Sequence, residues 1–261
     1  MDIQLVVSDI DGTLLRQERT LSPALQEEIW RLDRRGIPFT FATGRLPFET
    51  DGLLEGLPPQ RVPYVGGNGS ILKWGNTLLE DKRFLPGPLQ GIAERYAALG
   101  VTVIFNDGDL ERPLRSTPWS RAHAEVFPGL DSPAGPEVWN RETRRMYFYH
   151  PEGAHLADCL EDLRPFAEEY AVCLQDDRSI QISAASCTKA QGVQILARYC
   201  GIPRERILCI GDSYNDISML QYAGIGAAVE NACAALKEAA DYVSPLPCWE
   251  GAVQILQTLI P

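Results

Sequence analysis

The sequence predicts a doubly wound α/β fold whose mostly parallel core sheet is interrupted by an inserted α+β domain. Three observations carry this reading. Short apolar strand signals alternate with helix signals over residues 1–81, and buried parallel strands read as continuous apolar runs joined by helical crossovers. The same rhythm resumes over residues 185–261. Between them, residues 82–184 mix helices and strands around a loop-rich stretch. At about 150 residues per domain, the chain of 261 residues makes one large domain or two modest ones. Either buries a core without help from disulfides or structural metal.

Each element has its own signal. Leu5-Val6-Val7-Ser8-Asp9 is a short apolar run ending in polar residues and a glycine, the mark of a buried strand. Ser22-Pro23 supplies an N-cap and a proline at the first helical position. Leu25, Ile29 and Leu32 then recur at helical spacing, and Gly36 stops the helix after Arg34-Arg35. Residues 37–42 read as the next strand, residues 47–56 as a poorer helix, and residues 62–65 as a third strand. After the insertion, residues 189–200 read as a helix, Ile207-Leu208-Cys209-Ile210 as a buried strand, and residues 213–223 as a helix. A strand at 225–229, a helix at 232–239, a strand at Tyr242-Val243 and a helix at 249–259 complete the core. The insertion carries helices near 88–99 and 154–169 and strands at 101–105, 144–149, 171–175 and 179–183. Pro113, Pro118, Pro128, Pro133 and Pro136 mark residues 106–142 as loop.

Composition narrows the partners. Apolar residues at 45% and charged residues at 23% exclude wholesale disorder. With 24 Lys and Arg against 35 Asp and Glu, the net charge of -11 argues against nucleic acid or an anionic membrane surface as the main partner. A small anionic substrate in a locally positive site remains compatible with it. No apolar run is long enough to span a bilayer. The start, Met-Asp-Ile-Gln-Leu-Val-Val, shows no signal peptide. The seven cysteines are odd in number and form no C-x-x-C, and the three histidines form no metal-spaced set. The expectation is a cytoplasmic monomer or small homo-oligomer with reduced thiols. Asn68-Gly69-Ser70 fits a glycosylation sequon and is set aside as chance.

The chemistry gathers at strand ends, where open α/β sheets bind ligands. Asp9-Ile10-Asp11-Gly12-Thr13 follows the first strand directly. Carboxylates two residues apart in an extended segment project from one side, and Gly12 permits a turn that faces both toward one small volume. Such a pair binds a hard cation or divides the work of nucleophile and acid. Gly211-Asp212-Ser213-Tyr214-Asn215-Asp216 follows another buried strand. A helix cap needs one of these residues, which leaves Asn215 and Asp216 surplus. Two acidic strand ends in one sheet repel unless a cation neutralises them, and magnesium suits oxygen ligands and bridges to phosphate. Thr43-Gly44-Arg45 supplies a hydroxyl and a backbone amide at a third strand end, and Lys189 heads the helix where the core resumes.

In the order D-x-D-G-T, T-G-R, K, G-D-x-x-N-D, these four motifs make the chain resemble the haloacid dehalogenase (HAD) superfamily of phosphohydrolases. More narrowly it is similar to the Cof-type subfamily (IIB), whose α/β cap is inserted between the second and third motifs. The resemblance extends over residues 1–81 and 185–261 and takes in Asn68-Gly69 after the third strand; across residues 82–184 it is one of size and layout. It implies a Rossmann-like catalytic core, a substrate-selecting cap, and a magnesium-dependent phosphatase acting on small phosphorylated metabolites, with sugar phosphates the leading class. On that pattern Asp9 is the nucleophile that forms an aspartyl-phosphate, and Asp11 is the general acid and then base. Thr43, Gly44, Lys189 and Asn215 attend the phosphate. Magnesium is held by Asp9, the backbone carbonyl of Asp11 and Asp212, with Asp216 in support. The alternatives are a phosphomutase using the same intermediate and a non-catalytic phosphate-ligand sensor, whose usual sign is loss of a carboxylate that Asp9 and Asp11 here retain.

Three departures from the pattern stand out. Ala227-Ala228-Val229-Glu230-Asn231-Ala232 lacks the usual Met-Gly before Asn-Ala; residues 244–251 replace an asparagine- and acid-rich run; and Ala190 follows Lys189 where glycine is usual. None removes a proposed catalytic group, and the first two bear on the entrance. In the insertion, Arg112, Arg115, Arg121, Arg141, Arg144 and Arg145 read as a solvated basic face more readily than as anchors for a second anionic group. Trp119 and Trp139 read as packing residues. Asp107-Gly108-Asp109-Leu110-Glu111 begins like a calcium loop, but Arg112 and Pro118 stand where glycine and glutamate are needed.

Overall fold

The structure, a computed structural model, describes residues 2–15, 20–108 and 110–261; Asp109 of the rejected calcium loop lies outside them. In chain order the elements are β1 (Leu5–Ser8), α1 (Pro23–Arg34), β2 (Phe39–Phe41), α2 (Pro47–Thr50), β3 (Tyr64–Gly66), β4 (Ile71–Trp74) and β5 (Thr77–Asp81). Next come α3 (Gln90–Ala98), β6 (Thr102–Asp107), β7 (Leu110–Pro113), α4 (Pro118–His123), β8 (Met146–Tyr149), α5 (Leu156–Leu163), β9 (Tyr170–Asp176) and β10 (Ser179–Ala184). The chain ends with α6 (Lys189–Cys200), β11 (Ile207–Gly211), α7 (Ile217–Tyr222), β12 (Ile225–Ala228), α8 (Ala234–Ala239), β13 (Tyr242–Val243) and α9 (Cys248–Leu259). It divides into two compact units, Met1–Asp81 with Thr188–Pro261, and Lys82–Cys187.

The first unit is built on a five-stranded sheet in the order β13-β12-β11-β1-β2, with every neighbouring pair parallel. Alternation along β1 explains why both faces are covered. Val6 turns to a cluster with Leu25, Ile29 and Leu32 of α1 and Ile255 and Leu256 of α9. Leu5 and Val7 turn to Val193 and Leu196 of α6, Met219 of α7 and Leu236 of α8. Each fully buried aliphatic side chain contributes about 1.5–3 kcal/mol, so the central strands anchor the unit. The direction of chain progression reverses between β1 and β11, and the pairing Ser8↔Ile210 brings Asp9 and Gly211 out side by side at the carboxyl ends. That is where a doubly wound sheet places its ligand.

Several expectations are refined here. The strand at 62–65 belongs to a separate antiparallel sheet, β3-β4-β5, joined to the end of β2 by one bridge, Ala42↔Val65. The hairpin β4–β5 turns at Gly75, at φ 54. The helix expected over 154–169 stops at Leu163 because Pro165 cannot continue it, and a 3₁₀ turn at Arg164–Phe166 follows. The segment 106–142 is not all loop. Pro118 opens α4, whose cap is reciprocal: Ser120 N donates to Thr117 Oγ1 at 3.1 Å and Thr117 N to Ser120 Oγ at 3.0 Å.

The second unit carries an antiparallel sheet in the order β7-β6-β8-β10-β9. Val103, Phe105, Met146, Phe148, Ile180 and Ile182 pack with Ala93 and Tyr96 of α3 and Leu156, Cys159 and Leu163 of α5. Trp139 sits edge-on to Phe105 and Trp119 stacks on His123, so both tryptophans pack within the unit. Arg145 corrects the expectation of a solvated basic face. It is buried, donates to Glu111 Oε1 from Nη2 at 2.8 Å and Nε at 3.0 Å, and lies over the Tyr147 ring. The alternation that places Met146 and Phe148 in the core turns Arg145 to the opposite face of β8. Among the described residues all seven cysteines are free thiols, and no helix is long and apolar enough to cross a membrane.

Candidate active site

The site grows from the ends of β1, β2 and β11 and the start of α6. Asp9 is held by its backbone first: its N–H donates to Ile210 O at 2.9 Å and its carbonyl accepts from Ser8 Oγ at 2.8 Å. Lys189, the first residue of α6, is fully buried, and its Nζ donates to Asp9 Oδ1 at 2.5 Å and Asp216 Oδ1 at 2.6 Å. Thr188 caps α6 and fixes where that lysine starts. The opposing surface is Gly69, at φ +97, where a Cβ would collide with the Thr188 carbonyl. Only glycine brings the Asn68-Gly69 turn this close to the lysine's backbone.

Asp216 is fully buried and spends both oxygens within the protein. Oδ1 meets Lys189, and Oδ2 accepts the amides of Asp212 and Ser213 at 3.0 Å each. Asp212 receives the hydroxyl of the buried Thr13 on Oδ1 at 2.8 Å. Gly12 lies against the same carboxylate at φ +83, where a Cβ would strike Asp212 Oδ2. Any other residue at position 12 displaces a neighbouring carboxylate as well as straining the turn.

Among the described residues, Asp9, Asp212 and Asp216 form the one His, Cys, Asp or Glu cluster tight enough to share an ion, with one oxygen of each within 4.8 Å of the others. Burial pushes the Asp9 carboxyl well above its ordinary value; Lys189 pulls it back, while Asp216 and Asp212 push further. Asp212 is pushed up to about 7 by burial and by Asp216, against the pull of the Thr13 hydroxyl. Burial opposes the charge on Lys189, yet Asp216 and Asp9 raise it above the usual lysine value. Two buried carboxylates and the half-buried Asp212 surround one ammonium, so full ionisation leaves negative charge uncompensated. The all-oxygen donor set and that excess suit a small hard dication such as magnesium. Asp216, with both oxygens engaged, positions the others.

The remaining motif residues stand around this cluster in two connected sets. Asn68 N–H donates to the Thr43 carbonyl at 2.9 Å, and Asn68 Oδ1 accepts from Asn215 Nδ2 at 3.1 Å, linking the second and fourth motifs. Thr43 is buried, and its Oγ1 accepts the Arg45 amide across Gly44 at 3.1 Å. Asp11 is separate. Its carboxylate is outside the cluster, 59% exposed, and gripped by Arg45 through Nε at 2.8 Å and Nη2 at 2.5 Å. Burial works against the guanidinium charge, but the hydrogen bonds and charge of Asp11 raise its pKa. Sequence reasoning quoted Arg45, Thr13 and Asn68 without a role for any of them. The Asn-Gly pair was the one local signal for Asn68, which takes the left-handed region at φ 54.

Residues 6–256 match the family of haloacid dehalogenase-like hydrolases. A phosphoglycolate phosphatase from Methanospirillum hungatei is 28% identical, covering 98% of this chain and 96% of that protein. A 5-amino-6-(5-phospho-D-ribitylamino)uracil phosphatase from Bacillus subtilis is 25% identical, covering 98% of this chain and 96% of its own. Among solved structures, a HAD subclass IIB sugar phosphatase aligns at a TM-score of 0.78 with 22% identity over 98% of each chain, a likeness of fold.

Proposed function

The chain belongs to the haloacid dehalogenase-like hydrolase family and is a phosphoric monoester hydrolase acting on small phosphorylated molecules; from that premise we propose that it is magnesium-dependent, works through an aspartyl-phosphate on Asp9, and takes sugar phosphates. The observation that carries this reading is the Asp9 carboxyl oriented by Lys189 inside a cluster with excess negative charge. An Asp9 oxygen attacks phosphorus while the bond to the leaving alkoxide breaks, and Asp11 delivers a proton to that alkoxide. Water then attacks the phosphorus with Asp11 as base, and the Asp9–phosphorus bond breaks to release phosphate.

Asp9, Asp212 and the Asp11 carbonyl would hold magnesium, with Asp216 setting Asp212 through the amides of residues 212 and 213. When bound, the ion screens the repulsion between the attacking carboxylate and the phosphate dianion. Lys189, Thr43 and the Gly44 amide hold phosphate oxygens, and Asn215, tied to Asn68, borders them. Arg45 donates one hydrogen bond to each Asp11 oxygen, so a proton on Asp11 weakens that charge-assisted grip and frees the carboxyl to turn toward the leaving group. Residues 82–184 select the substrate.

Two names support the substrate class: the Bacillus relative acts on a phosphorylated ribityl group, and the solved neighbour is a sugar phosphatase. A panel of phosphorylated metabolites, scored by released phosphate, tests the reading. Sugar and sugar-alcohol phosphates should lead, with turnover lost on chelation and restored by magnesium. Turnover indifferent to chelation refutes the metal; preference for phosphate esters without a polyol refutes the substrate class.

A further inference from the structure

Gly12 stands between the two proposed catalytic carboxylates and the hydroxyl that holds Asp212, in the left-handed region at φ +83 with no side chain to fix it. A glycine there has two soft dihedrals and a peptide free to rotate. Both of its backbone groups are nevertheless engaged. Its N–H donates to Leu15 O at 2.8 Å, and its carbonyl accepts from Asn231 Nδ2 at 2.9 Å. Asn231 belongs to the first of the two segments that depart from the family pattern. Its other amide atom reaches the second departing segment, where Oδ1 accepts the Cys248 amide at 2.7 Å. Cys248 opens α9 at φ 46, unusual for a residue with a side chain, and the preceding Pro247 contributes no side-chain cap. The partners settle which way the side-chain amide faces, since a carbonyl must meet its nitrogen and an N–H its oxygen. The segments are also joined through their backbones, Glu230 N donating to Leu246 O at 3.0 Å.

We infer that Asn231 is a positioning residue that locks the peptide between Gly12 and Thr13, and through it the seating of Thr13 on Asp212. This rests on the phosphatase reading of the Asp9–Asp212 cluster. The role needs a donor and an acceptor on one short planar group, which asparagine supplies. An aspartate in its place still accepts the Cys248 amide, with a favourable charge at the N-terminus of α9, but cannot donate to Gly12.

Asn231→Asp therefore separates the two halves of the role. Its melting temperature should stay at or above that of the wild type. Exchange of the amides over residues 9–15 should accelerate, and kcat should fall about tenfold to a hundredfold, as for groups that orient metal ligands, with KM little changed. Magnesium binding, read without substrate from the shift in melting temperature, should weaken. Added negative charge alone would tighten it, so the sign separates lost positioning from electrostatics. Asn231→Ala should show the same kinetic defect together with a lower melting temperature. Wild-type exchange and kcat in Asn231→Asp overturn the inference, as does tighter magnesium binding. The exchange arm reads the tether without reference to any reaction. A fully active Asp9→Asn protein would refute the phosphatase reading instead, so the two failures are distinguishable.

Discussion

Each unit buries a charge cluster, and the two are built on opposite principles. In the insertion, Arg145 and Glu111, 3% and 4% exposed, form a buried ion pair, with two guanidinium N–H groups on one carboxylate oxygen. In the core, Lys189, 1% exposed, serves Asp9 and Asp216 with Asp212 beside them. Both carry the desolvation cost of buried ions. In the Arg145–Glu111 pair one cation offsets one anion. Fully ionised, the core cluster carries more negative charge than Lys189 offsets, and burial and mutual repulsion raise the Asp9 and Asp212 carboxyls despite their internal contacts. Imbalance therefore distinguishes the cluster proposed to be reactive better than burial does.

The strongest test of that contrast is removal of the reacting group. Asp9→Asn should lower phosphate release by at least about a thousandfold without loss of fold, since an amide cannot form the acyl phosphate. Lys189→Met should be nearly as inactive and also less stable, by roughly 3–5 kcal/mol, because Asp216 and Asp9 lose their shared cation. Circular dichroism and melting curves separate the two. Phosphate release near the wild-type rate from a folded Asp9→Asn protein would leave the cluster structural, like its counterpart in the insertion.

The imbalance was partly legible in the sequence. D-x-D-G-T and G-D-x-x-N-D each follow an apolar run, so strand-end placement and surplus carboxylates were readable without a fold. The burial of Lys189 was not, because it depends on Gly69 approaching the Thr188 backbone from a distant turn. Arg145 was misread for a related reason: its neighbours at 141 and 144 are arginines, and only the pairing of β8 with β6 and of β6 with β7 brings Glu111 to it. Boundaries failed where proline has two meanings. At 118 it begins a helix and at 165 it ends one, and the difference lies in the capping threonine before the first.

Asp11 sharpens the comparison from outside both clusters, being exposed and paired. If it serves proton transfer, Asp11→Asn should slow sugar phosphates about a hundredfold or more and nitrophenyl phosphate far less, since nitrophenolate leaves without a proton. Arg45→Ala should lower the turnover of sugar phosphates less than Asp11→Asn does, by freeing Asp11 from its partner without removing it. Equal losses of Asp11→Asn on both substrates would assign the carboxylate to the metal or to structure.

A smaller, graded effect comes from pH. Asp212 lies near 7 and Asp9 is raised in the same direction. The folded metal-free protein thus prefers these groups protonated. Their contribution to stability is fully present below the ordinary carboxylate range and is lost as pH climbs through about 7. Magnesium needs the ionised forms, so its binding releases protons and tightens by up to about tenfold per unit below that point. The rise in melting temperature caused by magnesium should be larger at pH 8 than at pH 6. A rise that shrinks with pH would place the ion elsewhere.

The smallest expected effect on turnover belongs to the balanced pair. Arg145→Met strands Glu111 in a buried site and should cost about 3–5 kcal/mol. Adding Glu111→Leu removes the stranded charge and should recover most of that loss, because two apolar groups of similar volume replace a buried ion pair. The hydrolysis of nitrophenyl phosphate per folded molecule should hold at the wild-type rate in the double variant, since the pair is no part of the Asp9, Asp212 and Asp216 cluster. The corresponding exchange in the core, Lys189→Met with Asp216→Leu, should recover less, because Asp9 stays without its cation and the amides of Asp212 and Ser213 lose their acceptor, and it should leave the enzyme inactive. A folded Arg145→Met, Glu111→Leu protein as impaired on this small ester as the Lys189 variant would show that charge balance does not separate structural from catalytic clusters here.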